Sequence, residues 1–189
     1  AAIKSNLINR KDARIEIIIN KDRQEIRIRD NGSGIGQENF KRVLSDIANS
    51  DKKRAIEKGF RGIGRLCGLA YCNELQFISS AVGEEKAQVM VWDAFKMRTM
   101  LNDDRKHTAD EVLDAIMKIS TVDAVPDSHF LEVIMTGVTS PYLLDNDIIR
   151  DYLAFEVPVP YSTKFMFNER ISNYAKQLGV IIDEYNLFV

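Results

Sequence analysis

Hydrophobic and polar positions along the chain fall into two repeats, one of period two and one of helical spacing. Ile15, Ile17 and Ile19 share one face, a polar turn runs through Asn20, Lys21, Asp22 and Arg23, and Ile26 and Ile28 return, which predicts an antiparallel hairpin of half-buried strands. Residues 37–48 carry Phe40, Val43, Leu44 and Ile47 at the i, i+3, i+4, i+7 spacing of an amphipathic helix. A helix is predicted over 65–71 through Leu66, Leu69 and Ala70. Two strands, 75–79 and 87–92, are joined by a turn at Val82, Gly83, Glu84 and Glu85, and they extend the same antiparallel sheet. A helix over 110–118, with Val112, Leu113, Ile116 and Met117, reads as an insertion before a further strand at 130–136. Pro141 opens a polar break, residues 147–155 suggest a helix, and the prolines of VPVPYS mark a boundary, because each disfavours helix at the residue before it. Residues 165–189 read as strand, short helix and strand, too small a piece to supply partners for its own strands. The class is α+β.

The chemistry concentrates in residues 25–34, EIRIRDNGSG. Asp30 falls on the face of Ile26 and Ile28, and a carboxylate on the buried side of a sheet must find a donor or remain costly. A ligand could supply that donor. The bland reading is a hairpin turn on Asp30, Asn31 and Gly32, since Asp-Gly and Asn-Gly turns are common. A second glycine run, Gly59, Gly62 and Gly64, opens the helix predicted at 65–71, where bare N–H groups suit phosphate oxygens.

DNGSGIG followed by GFRGIG resembles the paired glycine boxes of the GHKL ATPases, the superfamily of gyrase-type topoisomerases, ninety-kilodalton heat-shock chaperones, histidine kinases and MutL proteins. The spacing GxxGxG and the phrase GFRG resemble the chaperone and MutL branches more than the kinases. The resemblance implies a two-layer α/β sandwich of the Bergerat type, with a mixed, mostly antiparallel sheet, helices on one face and the leading N-terminal helix truncated. It implies an ATP-binding domain over 1–156 with a lid at about 48–62, and a linker and the start of a second domain over 157–189.

For the site, the resemblance implies that Asp30 accepts from the adenine amine, that Gly32 and Gly34 admit base and ribose, and that Ile35 floors the ring. Gly59, Gly62 and Gly64 would wrap the phosphates, flanked by Lys58, Arg61 and Ile63. The family's first motif holds Mg²⁺ on an Asn, with a catalytic Glu one helical turn earlier. Counting back from the first strand places Asn6 at the metal position and Ala2 where the Glu belongs; an alternative register puts Ala1 at the metal position. Neither shows a catalytic Glu, and Glu38 and Glu57 near the glycine boxes read as exposed carboxylates. His129 stands where the family often has a Thr near the adenine.

Composition narrows the rest. A formal charge of −2, with Lys and Arg interspersed among Asp and Glu, argues against a dedicated nucleic-acid surface. There is no apolar run of about eighteen residues to span a membrane. Cys67 and Cys72, five apart, read as packed thiols in a reducing cytoplasmic interior, and neither His107 nor His129 has metal-site company. The leading expectation is the nucleotide domain of a chaperone-like or MutL-like ATPase, with ATP or ADP and Mg²⁺ as ligands and nucleotide-dependent homodimerisation. A histidine kinase catalytic domain and a non-hydrolysing nucleotide-binding module are the alternatives.

Overall fold

In a computed structural model describing residues 2–3, 5–45, 64–104, 107–182, 184 and 186–189, the alternating isoleucines do form the expected hairpin. Strands β1 (Arg14–Asn20) and β2 (Glu25–Asp30) pair antiparallel with Ile17 opposite Ile28 and Ile19 opposite Ile26. Strands β3 (Glu74–Ser80), β4 (Lys86–Asp93), β5 (Met117–Asp123), β6 (Phe130–Thr136) and β7 (Asn186–Phe188) complete a seven-stranded sheet in the order β5-β4-β3-β6-β2-β1-β7. Every pairing is antiparallel except the edge, where β7 runs parallel to β1.

The register builds three rows across one face. The row nearest the β3–β4 turn holds Ile15, Asp30, Leu131, Ser79, Gln88 and Thr121. The next holds Ile17, Ile28, Val133, Phe77, Met90 and Ile119, and the third Ile19, Ile26, Met135, Leu75, Trp92 and Met117. Two apolar rows thus make the floor of the core, and polar groups collect in the row beside them.

Helices cover this face. Phe40 and Leu44 of α1 (Gln37–Ser45), Leu69 of a 3-10 helix (Gly64–Ala70), and Val112 and Ile116 of α3 (Ala109–Ile116) join the sheet's apolar rows in one core cluster. Burying a side chain of this size contributes about 1.5–3 kcal/mol. Helix α2 (Ala94–Leu101) follows β4 directly, its first turn capped by Asp93, which accepts from the Lys96 N–H. The opposite face carries charge at its centre, where Arg27 pairs with Glu25 at 2.8 Å and both Arg27 and Arg29 reach Glu132.

Several details differ from the sequence reading. The helix expected at 65–71 is a 3-10 helix, and the one expected over 110–118 ends at Ile116, its last residues entering β5. Strand β5 escapes a search for alternation because all its residues after Met117 are exposed, and Ile119 and Val122 stand three apart. No strand forms at 165–167; turns lead instead into α5 (Asn168–Gln177), after α4 (Asn146–Glu156). The last strand finds its partner in β1. The lid interval 48–62 lies outside the described residues.

The loop after β2 crosses the end of β3 closely. Gly34, at φ 67°, would place a Cβ 1.8 Å from the Ser80 carbonyl oxygen, so only a residue without one fits. Ser79, fully buried, accepts from the Ile35 N–H at 2.7 Å and donates to the Phe130 carbonyl at 2.7 Å. Replacing Gly34 by Ala should therefore cost on the order of 3 kcal/mol or more, and Ser79→Ala about 2 kcal/mol. Thermal or urea unfolding of the two variants against the parent measures both.

Candidate nucleotide site

Asp30 ends β2 on the covered face because it continues the period of Ile26 and Ile28. Its Oδ1 accepts from the Gly32 N–H at 2.7 Å. Burial pushes its carboxyl above the ordinary carboxylate range, and the N–H groups of Gly32 and Leu131 draw it back. A half-buried carboxylate with hydrogen-bonding capacity left over is a strong acceptor facing into the fold. Gly32 is tied to this turn, since a Cβ there would lie 2.5 Å from Asp30 Oδ1.

Asn31 holds the neighbouring backbone in register. Its Oδ1 accepts from Arg14 N–H at 2.8 Å, its Nδ2 donates to the Asp12 carbonyl at 2.8 Å, and its own N–H donates to the Arg14 carbonyl. His129 Nδ1 lies 2.6 Å from the Gly32 carbonyl. A carbonyl only accepts, so the proton of this hydrogen bond sits on Nδ1.

Two cavities meet at Asp30. One, of 160 Å³, is lined by Ile3, Ile8, Ile15, Asp30, Gly32 and Asn186 among others, a carboxylate set in an apolar wall. A dry cavity of about 150 Å³ is known to admit an aromatic ring. The other, of 170 Å³, opens toward Glu16, Arg29 and His129. A roomier groove of 870 Å³ runs along α5 between Phe165 and Gln177, but it includes no residue of either glycine motif.

The second glycine run is described only from Gly64, the first residue of the 3-10 helix; Lys58, Gly59, Arg61, Gly62 and Ile63 lie outside the described residues. That helix lies on the same sheet face as Asp30, because a Cβ on Gly68 would meet Leu75 and Met135 of the third row. Two rows along the strands is about 13 Å. Its far end is clamped by Arg98, whose Nη1 donates to the Leu69 and Cys72 carbonyls at 2.9 and 2.8 Å and whose Nη2 donates to Asn73 Oδ1 at 2.8 Å. Cys72 is buried there with its thiol pushed up to about 11, and Cys67 is exposed; both are free.

Other expected residues fall elsewhere. Ile35 packs against the core cluster and lines neither Asp30 cavity. Asn6 is exposed in a turn at φ 58° and also lines neither. Among the described residues no group of three or more His, Cys, Asp or Glu is placed to hold a metal. A single exposed amide does not make a Mg²⁺ site. No local pattern marks Ser79, Arg98 or Asn186. Glu84, whose Oε1 accepts from the Gln37 N–H at 2.7 Å and Oε2 from Ala81 N–H at 3.1 Å, was visible only as a turn residue. Among the described residues no helix is long and apolar enough to cross a membrane.

Comparison with known proteins bears on the fold and the family. Over 93 residues the chain is 37% identical to the DNA mismatch repair protein MutL of Borreliella afzelii (strain PKo), covering 46% of this chain and 15% of that protein. The ATPase region of Saccharomyces cerevisiae topoisomerase II superposes with a TM-score of 0.53 at 17% identity, over 92% of this chain and 49% of the other. At that identity the likeness shows the fold alone, a mixed, mostly antiparallel sheet with helices, and the chain spans less than half of either relative. Residues 3–121 match the family of histidine kinase-, DNA gyrase B-, and HSP90-like ATPases. A match over most of the chain, together with the fold, places the protein in the GHKL ATPase superfamily, to whose histidine kinase-, DNA gyrase B-, and HSP90-like ATPase family it belongs.

Proposed function

We propose that the chain is the ATP-binding domain of a MutL-like or chaperone-like ATPase, in which bound nucleotide closes a lid and changes the arrangement of the protein. The observation that carries this reading is Asp30, half-buried, short of donors and lining a ring-sized cavity next to a glycine-rich loop.

In this reading the adenine amine donates to the Asp30 carboxylate, directly or through water. A charge-assisted bond contributes roughly 1.5–3 kcal/mol. Guanine turns an acceptor to the same point and is repelled. His129, held by the Gly32 carbonyl, lines the second cavity. Gly59, Gly62 and Gly64 would follow the phosphates with bare backbone, flanked by Ile63 and by Lys58 and Arg61, which add charge.

Mg²⁺ would enter with the triphosphate as its counterion, held by the phosphates themselves, since Asn6 stands exposed and away from both Asp30 cavities. Residues 1–156 would carry nucleotide and lid (48–62), and 157–189 would return the edge strand β7 to their sheet. Pairing of two copies on ATP and a cytoplasmic setting belong to the same proposal. The chain offers no assigned general base, so binding and turnover need separate measurement.

A titration with ATP, ADP and GTP, set beside phosphate release with and without Mg²⁺, tests the reading. Adenine nucleotides should bind and GTP should not; equal affinity for both purines would remove Asp30 from base recognition. Gly62→Val should abolish the preference for ATP over adenosine.

Asp30→Asn should lose ATP binding and gain stability. The folded state holds the Asp30 proton more tightly than the unfolded chain does, so the residue subtracts stability as pH rises above the ordinary value of 3.8 and nothing well below it. The ligand-free variant should melt above the parent at neutral pH, with the gap closing toward pH 3. A melting difference independent of pH would contradict this.

A further inference from the structure

The strand Asn186–Phe188 does more than extend the sheet. It pairs with β1 through Arg14, Ile15 and Glu16, placing Asn186 opposite Arg14. The Asn186 Nδ2 donates to the carbonyls of Lys11 and Ala13 at 3.0 and 3.1 Å, bridging the segment that leads into β1. Two residues on, Phe188 stacks under the Arg14 guanidinium, 4.5 Å from its carbon to the ring centroid. Asn186 is also a wall of the 160 Å³ cavity that holds Asp30.

The same short backbone stretch is gripped from both sides. Asn31, next to Asp30, binds Arg14 N–H and the Asp12 carbonyl, while Asn186 binds the carbonyls of Lys11 and Ala13. The cavity wall therefore needs both side chains, and they come from opposite ends of the sequence. Among the described residues that lead to β7 the packing is thin: α5 contributes no buried residue, α4 meets the core only through partly buried Leu153, and Met166, Tyr174 and Ile181 are 81%, 63% and 75% exposed. A three-residue strand on so loose a tether has little of its own to hold it.

We infer that docking of Asn186–Phe188 on β1 completes the base end of the nucleotide pocket, so that nucleotide binding and β7 docking stabilise each other. The inference rests on the proposed adenine site. Linkage makes the effect reciprocal: whatever nucleotide adds to β7 docking, docking adds to nucleotide affinity.

The experiment uses the full chain and its variants Asn186→Ala and Phe188→Ala, each titrated with ATP and with adenosine. Two ordinary hydrogen bonds together correspond to about tenfold in an equilibrium constant. Asn186→Ala should weaken both ligands by about that factor and by the same factor for each, because the contact lies at the base end. Phe188→Ala, which leaves the cavity wall chemically intact but loosens the strand, should also weaken both. In the parent protein, saturating ATP should slow amide exchange at Leu187 and Phe188.

Parental affinity in Phe188→Ala would overturn the coupling, as would exchange at β7 that ATP leaves unchanged. Loss confined to ATP in Asn186→Ala would move the residue away from the base. If the parent protein binds no adenine nucleotide at all, the proposed function falls and this inference with it. If the parent binds and both variants bind as well as it does, only the coupling falls.

Discussion

One carboxylate on the covered side of a sheet sets the terms for everything around it. Asp30 sits where the apolar rows of the sheet give way to a polar one, and desolvation makes its ionised form costly. The fold meets part of that cost with two backbone N–H groups, yet the carboxyl remains above its ordinary range. A cost met only in part by the protein is an opening for a ligand that donates. Sites of this kind trade stability for readiness, and the neighbouring residues are arranged to hold the charge still rather than to neutralise it.

That holding is distributed. Ser79, from two strands away in the same row, pins Ile35. His129 grips Gly32 from the start of β6, and Asn31 closes the hairpin over Arg14. None of these needs to touch a nucleotide to matter. Each removes freedom from a glycine-rich loop that would otherwise sample many conformations, because glycine loses the most entropy on ordering. On the far side of the covered face Arg98 does the same for the helix after the second glycine run, using one guanidinium to satisfy three acceptors at its end.

Much of this was legible in the chain. The period of Ile15 to Ile19 and of Ile26 and Ile28 located the hairpin and the face of Asp30, and the Phe40 to Leu44 spacing located α1. What stayed hidden depends on contacts between distant segments. The local pattern suggests glycines that make room for a ligand; it does not show that Gly34 is also required by the protein's own backbone at Ser80, or that a Cβ on Gly32 would crowd the Asp30 carboxylate. Strand β5 carries no buried stripe to betray it, and α2 is announced only by the Asp93 cap. Asn186 lies more than 170 positions from the carbonyls it binds, a separation that no local pattern encodes.

The Glu84 carboxylate has a consequence for how this architecture tolerates change. Surface hairpin tips are ordinarily the places where chains lengthen and shorten freely. Here one oxygen serves the opening turn of α1 and the other the hairpin's own backbone, so the tip acts as a strut between layers. A negative group already sits at that helix end, which leaves it no welcome for a second anion. Residues 82–85 should accordingly keep their length among close relatives while their other side chains drift.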